Sequence, residues 1–430
     1  MIEPVEIKSL AAVRLPQPGR GEIEHRLASV NGLLLRSSLQ HIASLVPGLD
    51  LSDYTQTTDG ASFAVFAPGR GALLDELQPW DFLTEYLEMF HLLVPEQLKV
   101  VRNREVVDPQ RYLSAFRPWP AGRVQPNMLR LVQLLDEGYS MVMDGMDASW
   151  PELAEVASSF ERAFGWPVNV NGYLSSRVDE AFGTHWDTHE VVILQLLNKK
   201  SWQIGRSPEL SMSTALHDDA APLRSVWSGD LEQGMAMYIP RGWPHAASAS
   251  GGMSFHLTVS CLRPTVIDLM RFVSDKAQTT LPKGVGLTSD GWYGALTSEL
   301  GTLGSSAHEE FDRYAASARL MMPSRFVRGY SRDFGGSLPA RDLLRDPHSG
   351  GWLIVDQPET DGAVIAAGRK AWKCDRDVID LLEIVSRARC LTVEETIGCG
   401  ANPRLVERSI ELGLIEQVPP GSVSNITGRC

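Results

Sequence analysis

From residue 168 to residue 262 the chain runs as short apolar segments cut by turns such as Ser228-Gly229-Asp230 and Pro240-Arg241-Gly242. Short strands at regular spacing with glycine and proline turns predict a double-stranded β-helix, a jelly-roll type of barrel. Set into this stretch is Gly183-Thr184-His185-Trp186-Asp187, answered further along by Tyr238-Ile239-Pro240-Arg241-Gly242-Trp243-Pro244-His245. His185 and Asp187 are two apart on an extended segment, so their side chains share a face and can grip one metal ion. His245 would complete the set from a strand across the barrel. Two imidazoles and one carboxylate occupy one face of an octahedral Fe(II) and leave the opposite positions open. A lone His-x-Asp carries little information. Here it stands before the strand-like run Val191-Val192-Ile193-Leu194-Gln195-Leu196-Leu197, and a lysine, Lys200, follows that run.

The flanks read differently. Residues 1–79 mix a helix-like stretch over 22–45, short strands such as Ser62-Phe63-Ala64-Val65-Phe66, and the punctuation Pro68-Gly69-Arg70-Gly71; they are expected to form an appended region packed on the barrel. Residues 80–263 form the barrel unit, opened by a helix over 129–135, a strand over 140–143 and a helix over 151–164. After Arg263-Pro264, Thr265 can cap a helix whose stripe is Val266, Leu269, Met270 and Val273. That helical character extends over 264–345, and Asp346-Pro347-His348-Ser349-Gly350-Gly351 reads as a linker. In 351–420, Val378, Leu381, Leu382 and Val385 share one helix face, and Thr392 with Glu395 makes a capping box. Asn402-Pro403 opens a third helix that Gly413 closes. Three short helices and a strand suggest a winged helix, so the whole chain is expected to be α+β.

Charge and cysteine content narrow the partners. The net charge is −13, and an acidic surface repels phosphate backbones, so nucleic acid is not expected as the main partner. From residue 351 onward 12 acids stand against 9 bases. The third helix there carries Arg404 and Arg408 but also Glu407 and Glu411, a poor surface for phosphates. No apolar run reaches the length of about 18 residues that a membrane span requires. Five scattered cysteines without a Cys-x-x-Cys, and a start without a basic-then-apolar signal pattern, point to a reducing cytoplasm.

Asn171-Gly172-Tyr173-Leu174, Gly183 to Asp187, Val192 to Trp202, Tyr238 to His245 and Ser254-Phe255-His256-Leu257-Thr258-Val259-Ser260 together resemble the JmjC-type 2-oxoglutarate oxygenases, in particular the ribosomal-oxygenase branch of the cupin superfamily. The resemblance runs from about Trp80 to Arg263 and weakens to architecture beyond. Positions 174–182 depart from the family's Pro/Gly-rich character there, and positions 1–79 match nothing in it. The resemblance implies His185, Asp187 and His245 as ligands of Fe(II), with 2-oxoglutarate as cosubstrate. Lys200, two positions before Trp202, takes the place of the family's cation for the far carboxylate; a buried carboxylate there needs a charged partner. Lys199 should face solvent. Tyr173 resembles the family tyrosine reaching the same carboxylate, with Asn171 on its face of the strand. His256 and Thr258 alternate inward beside them. His189 is read as a barrel-lining group, His217 beside Asp218 and Asp219 as a solvated one, and Trp186 and Trp243 as walls of a cleft or plain packing.

The resemblance further implies a homodimer built through the helical region, and oxidation of a C–H bond with release of succinate and CO2. The first expectation is hydroxylation of a side chain in a protein or peptide, either a ribosomal protein or a ribosomally made natural-product peptide. A non-catalytic cupin-like sensor joined to a winged helix that binds DNA or peptide is the alternative; a basic recognition helix would favour it. A metal-dependent isomerase or dioxygenase working without 2-oxoglutarate would have no use for Lys200. The substrate, the oxidised atom and the role of residues 1–79 are not written in the sequence.

Overall fold

The structure, a computed structural model, describes residues 1–49, 51, 62–68, 79–88, 95–115, 124–176, 182–205, 223–250, 252–280, 301, 308–322, 341–356, 363–387 and 391–418. The turn at Gly69-Arg70-Gly71, the segment 177–181, the loop holding His217, Asp218 and Asp219, Cys390, Cys430 and most of 281–340 lie outside them.

Strands of the barrel are, in chain order, β1 (Ala64–Phe66), β2 (Leu98–Arg102), β3 (Glu105–Val106), β4 (Ser140–Met143), β5 (Val168–Ser175), β6 (Glu190–Leu197), β7 (Lys200–Gly205), β8 (Ser225–Leu231), β9 (Ala236–Ile239), β10 (His245–Ala249) and β11 (Ser254–Cys261). They form a sheet of eight in the order β1-β9-β6-β11-β5-β4-β2-β3, and a sheet of three, β8-β7-β10. Between the sheets lies an apolar core at one end, where Val191, Ile193, Met237 and Ile239 of the large sheet meet Trp202, Ile204 and Leu231 of the small one. The opposite face of the large sheet buries Val170, Leu257, Val259 and Val192 against helices. Asn198 turns the chain from β6 into β7 in a left-handed conformation (φ 51°), and its Nδ2 donates to Met253 O at 2.6 Å. The turn expected at Ser228-Gly229-Asp230 is instead the middle of β8. Gly229 pairs with Trp202, and the Trp227 ring lies where a side chain would stand, 2.7 Å from an added Cβ. The glycine there makes room for a ring and breaks no strand.

The helices are α1 (Glu22–Leu45), α2 (Pro79–Glu88), α3 (Met128–Asp136), α4 (Pro151–Phe164), α5 (Val266–Thr280), α6 (308–321), α7 (Arg376–Ser386), α8 (Val393–Gly398) and α9 (Pro403–Glu411). Expected caps are present. Thr265 and Asp268 exchange hydrogen bonds at the start of α5, and Thr392 with Glu395 forms a reciprocal box on α8.

The described residues of 1–79 do not form one unit on the barrel. Ile2–Val5 pairs with Lys370–Cys374, and Val13–Arg14 with Leu353–Val355, so the first strands are the two edges of a five-stranded C-terminal sheet completed by Ala363–Ala367. Helix α1 lies between α4 and α7, where Arg26 reaches Asp380 at 2.6 Å and Glu383 at 2.8 Å. Among the described residues of this stretch, β1 is the strand that joins the barrel, beside β9, while Ile42, Leu45 and Val46 at the end of α1 pack into the barrel's core. Pairing between opposite ends of the chain leaves no local trace in composition, which is why the sequence does not announce it. The region 264–345 likewise ends in a strand, Leu343–Arg345, held between Leu391–Thr392 and Glu416–Val418. The expected linker is packed as well. Asp346, His348 and Ser349 are buried, and His348 sits among Trp352, Trp372 and the Gly413 carbonyl.

Candidate metal centre

Two backbone hydrogen bonds fix the ligand pair across the barrel. His185 N–H donates to His245 O at 3.0 Å, and His245 N–H to His185 O at 2.7 Å, an isolated antiparallel bridge just before β6 and at the start of β10. The turn before His245 is tied down in the same way. Gly242, left-handed at φ 81°, donates its N–H to Asp187 O at 2.9 Å. A side chain at 242 would be strained, so this glycine is needed to bring the two halves of the set together. The ligand atoms of His185, Asp187 and His245 all lie within 4.8 Å of one another, and among the described residues no other such group forms.

Both imidazoles are held by their inner nitrogen. His185 Nδ1 lies 3.1 Å from Gly183 O, and His245 Nδ1 lies 2.9 Å from Trp243 O. A protonated Nδ1 donating to a carbonyl leaves Nε2 as a lone-pair donor, the tautomer a metal ion requires. His245 Nε2 is 3.6 Å from Asp187 Oδ2. Burial, with His185 beside it, lowers the His245 pKa to about 4, so its ring is neutral and ready to ligate at neutral pH. The site fits a divalent ion by donor type, by spacing and by ring orientation.

The set faces a cavity of about 260 Å³ between the sheets. Its far wall is laid out by register. On β5 and β11, Tyr173 stands opposite His256 and Asn171 opposite Thr258. The Tyr173 and His256 rings stack at 4.9 Å, 5° from parallel. Lys200 enters from β7, buried, its Nζ donating to Ser175 Oγ at 3.1 Å; Ser175 Oγ in turn lies 2.8 Å from Ser140 Oγ. Among the described residues no carboxylate pairs with this amine, and burial lowers its pKa to about 7. A buried lysine facing a cavity without an anionic partner among the described residues fits a ligand that brings its own carboxylate. Burial, then Lys200, keeps His256 neutral, and burial, then Asp187, pushes the Tyr173 phenol up. Asn171 lines the cavity but spends its side-chain oxygen on Gly145 N–H at 2.9 Å.

All the expected site residues, His185, Asp187, His245, Lys200, Tyr173, Asn171, His256 and Thr258, thus line one cavity, with His189 among them but outside the ligand set. Lys199 points out, half exposed, onto Asp230 at 2.5 Å. Neither Trp186 nor Trp243 lines the space; Trp243 packs on Phe63, ring centroids 5.7 Å apart. Three contributors were missed. Ser175 continues the alternation of Asn171 and Tyr173, a signal that could have found it. Ser140 gave no signal beyond lying on a strand. Arg104 gave none at all: from the β2–β3 turn it donates to Phe182 O at 2.8 Å and Thr184 O at 2.7 Å, gripping the chain just before His185.

Comparison with known proteins bears on this geometry. A family model described as a JmjC domain matches residues 147–269. Ribosomal oxygenase 1 of Rattus norvegicus is 30% identical over 162 residues, 36% of this chain and 27% of that protein. The bifunctional lysine-specific demethylase and histidyl-hydroxylase NO66 of Brugia malayi is 28% identical over 162 residues, 36% of this chain and 22% of that protein. The chain therefore spans under a third of either relative's length. The structure of YcfD, a ribosomal oxygenase from Escherichia coli, shares the fold, with a TM-score of 0.51 at 15% identity over 86% of this chain and 98% of that one.

Proposed function

We infer, from the match of residues 147–269 to a JmjC domain and from the geometry of the site, that the chain is a JmjC-type, 2-oxoglutarate-dependent oxygenase of the cupin fold. The observation that carries this reading is the coincidence, in one cavity, of a His-Asp-His set with ligand atoms within 4.8 Å and a buried lysine lacking an anionic partner among the described residues. His185, Asp187 and His245 would hold Fe(II). Lys200, with Ser175, would take the far carboxylate of 2-oxoglutarate, and Tyr173 would flank it. When bound, iron with 2-oxoglutarate and O2 supplies the oxidation of a C–H bond, releasing succinate and CO2.

The protein's own share is placement. Two backbone carbonyls fix the imidazole tautomers, the β-bridge fixes their separation, and Lys200 fixes the cosubstrate's orientation. No side chain is asked to act as a general base.

The substrate in this proposal is a side chain of a protein or peptide, ribosomal or ribosomally made, and the outcome hydroxylation. The names of the curated relatives, histidyl-hydroxylase and ribosomal oxygenase, support that class. In the same proposal the protein acts as a homodimer through the region of α5 and α6, and its winged-helix-like C-terminal unit serves structure or peptide binding ahead of DNA. Arg408 on α9 is already paired with Glu411 at 3.0 Å. No helix among the described residues is long and apolar enough to cross a membrane. In the same proposal the setting is cytoplasmic, a reading that rests on the few, scattered cysteines of the sequence.

The test is succinate release from 2-oxoglutarate by Fe(II)-loaded protein given O2 and a peptide library. Turnover should vanish in His185→Ala together with iron binding. In Lys200→Met the concentration of 2-oxoglutarate needed should rise about 10- to 100-fold, the loss expected for a charged hydrogen-bond pair. Wild-type protein that binds neither iron nor 2-oxoglutarate and makes no succinate would leave a barrel that only binds.

A further inference from the structure

A second cavity lies away from the metal centre, where the barrel, α1 and the C-terminal unit meet. It measures about 280 Å³ and shares no lining residue with the first. Its walls are α1 at Asn31 and Gly32, the end of α4 at Arg162 and Gly165, the end of α6 at Arg319, and the segment 349–351. Helix α6 is fastened on both sides of it. Phe311 and Tyr314 pack on Trp166 with ring centroids 6.2 and 6.1 Å away, and Ala316 and Leu320 join Val13, Leu353 and Val355 in the C-terminal core.

The polar groups here are donors in excess. The Arg319 guanidinium lies over Gly165, its terminal nitrogen 2.8 Å from where a Cβ would stand. Burial lowers its pKa, and among the described residues no hydrogen bond or ion pair reaches it. Arg162 donates to the carbonyls of Asp346 and His348 at 3.3 and 3.5 Å and faces Asp346 Oδ2 at 3.7 Å, but its Nε is buried without a partner. Ser349 Oγ is buried and unpartnered as well. The carboxylate that lines the cavity, Glu161, accepts the Val168 N–H at 3.2 Å. Arg319 is partly buried, and a guanidinium in such a position is ordinarily paired.

We propose that this cavity binds a small oxyanion, a carboxylate or a phosphate, held by Arg319 with Arg162. Arginine's planar fork suits either group. The ligand would touch α1, α4 and α6 at once and so fasten the C-terminal unit to the barrel. The inference is independent of the activity assigned above.

Full-length protein carrying Lys200→Met, which removes the lysine of the metal cavity, is titrated with sulfate as the tetrahedral probe and acetate as the planar one. Chloride at equal ionic strength is the reference, and thermal midpoint and binding heat are read. Saturable stabilisation is expected, weakened at least about tenfold by Arg319→Gln. Gly32→Glu should weaken it too. Nothing lies within 4 Å of a Cβ at Gly32, so this change spares the fold while placing a carboxylate in the cavity wall. A response to sulfate alone assigns a phosphate-type ligand, to acetate alone a carboxylate, and to both an unselective oxyanion site. No saturable response in the Lys200→Met protein, or one that survives both further substitutions, overturns the site.

Discussion

Lys200 is the residue at which charge, burial and the proposed function meet. With its pKa lowered to about 7 by burial, the amine is partly neutral at physiological pH. A bound carboxylate favours the charged form, so the complex holds a proton that the free protein loses above pH 7. Cosubstrate affinity should therefore be greatest below pH 7 and weaken as pH rises, until the pKa of the bound state is passed. Titrations with 2-oxoglutarate between pH 6 and 9 check the sign, and a flat profile would contradict a free lysine of lowered pKa. The ligands themselves were legible because His-x-Asp needs only the alternation of an extended chain. Lys200 was legible by its place before Trp202. Arg104 was not, since its action is two hydrogen bonds to backbone carbonyls far along the chain, and backbone carries no residue-type signature.

At the level of elements, the site depends on two strands keeping their faces. Gly172 lies in β5 between Asn171 and Tyr173, and a Cβ there would come within 2.5 Å of Met146 Sδ and 3.0 Å of the Phe255 ring. Gly172→Ala should cost about 1–3 kcal/mol through overpacking, seen as a lower midpoint in thermal melts. The same push should displace Tyr173 from its stack on His256 and raise the cosubstrate KM. A variant as stable and active as wild type would show that β5 yields without loss. Arg104 belongs to this scale too, because it couples the β2–β3 turn to the segment entering the metal centre. Arg104→Met should weaken metal binding about tenfold, as loss of an outer contact commonly does, with little change in thermal stability of the metal-free protein. Alternation and turns made the barrel readable in the sequence. The expectation of a turn fails at Gly229, where glycine marks a ring packed over a strand, and composition alone does not separate the two uses.

For the whole molecule, the two ends of the described chain hold one another. Residues 1–14 supply both edges of the sheet that contains 353–374, so removing them should destabilise the distant C-terminal unit more than the barrel. Limited proteolysis of a chain lacking residues 1–14 should cut first within 343–418 while the metal site stays protected. Cuts in the barrel first would contradict this. The arrangement also sets a clock. At synthesis rates of about 5–20 residues per second, the strand at Ile2–Val5 waits on the order of tens of seconds for its partner at Lys370–Cys374 to be made. The barrel can close during that interval. The earliest-made strands cannot, and their open hydrogen-bonding edges are the part of the nascent chain most in need of a chaperone.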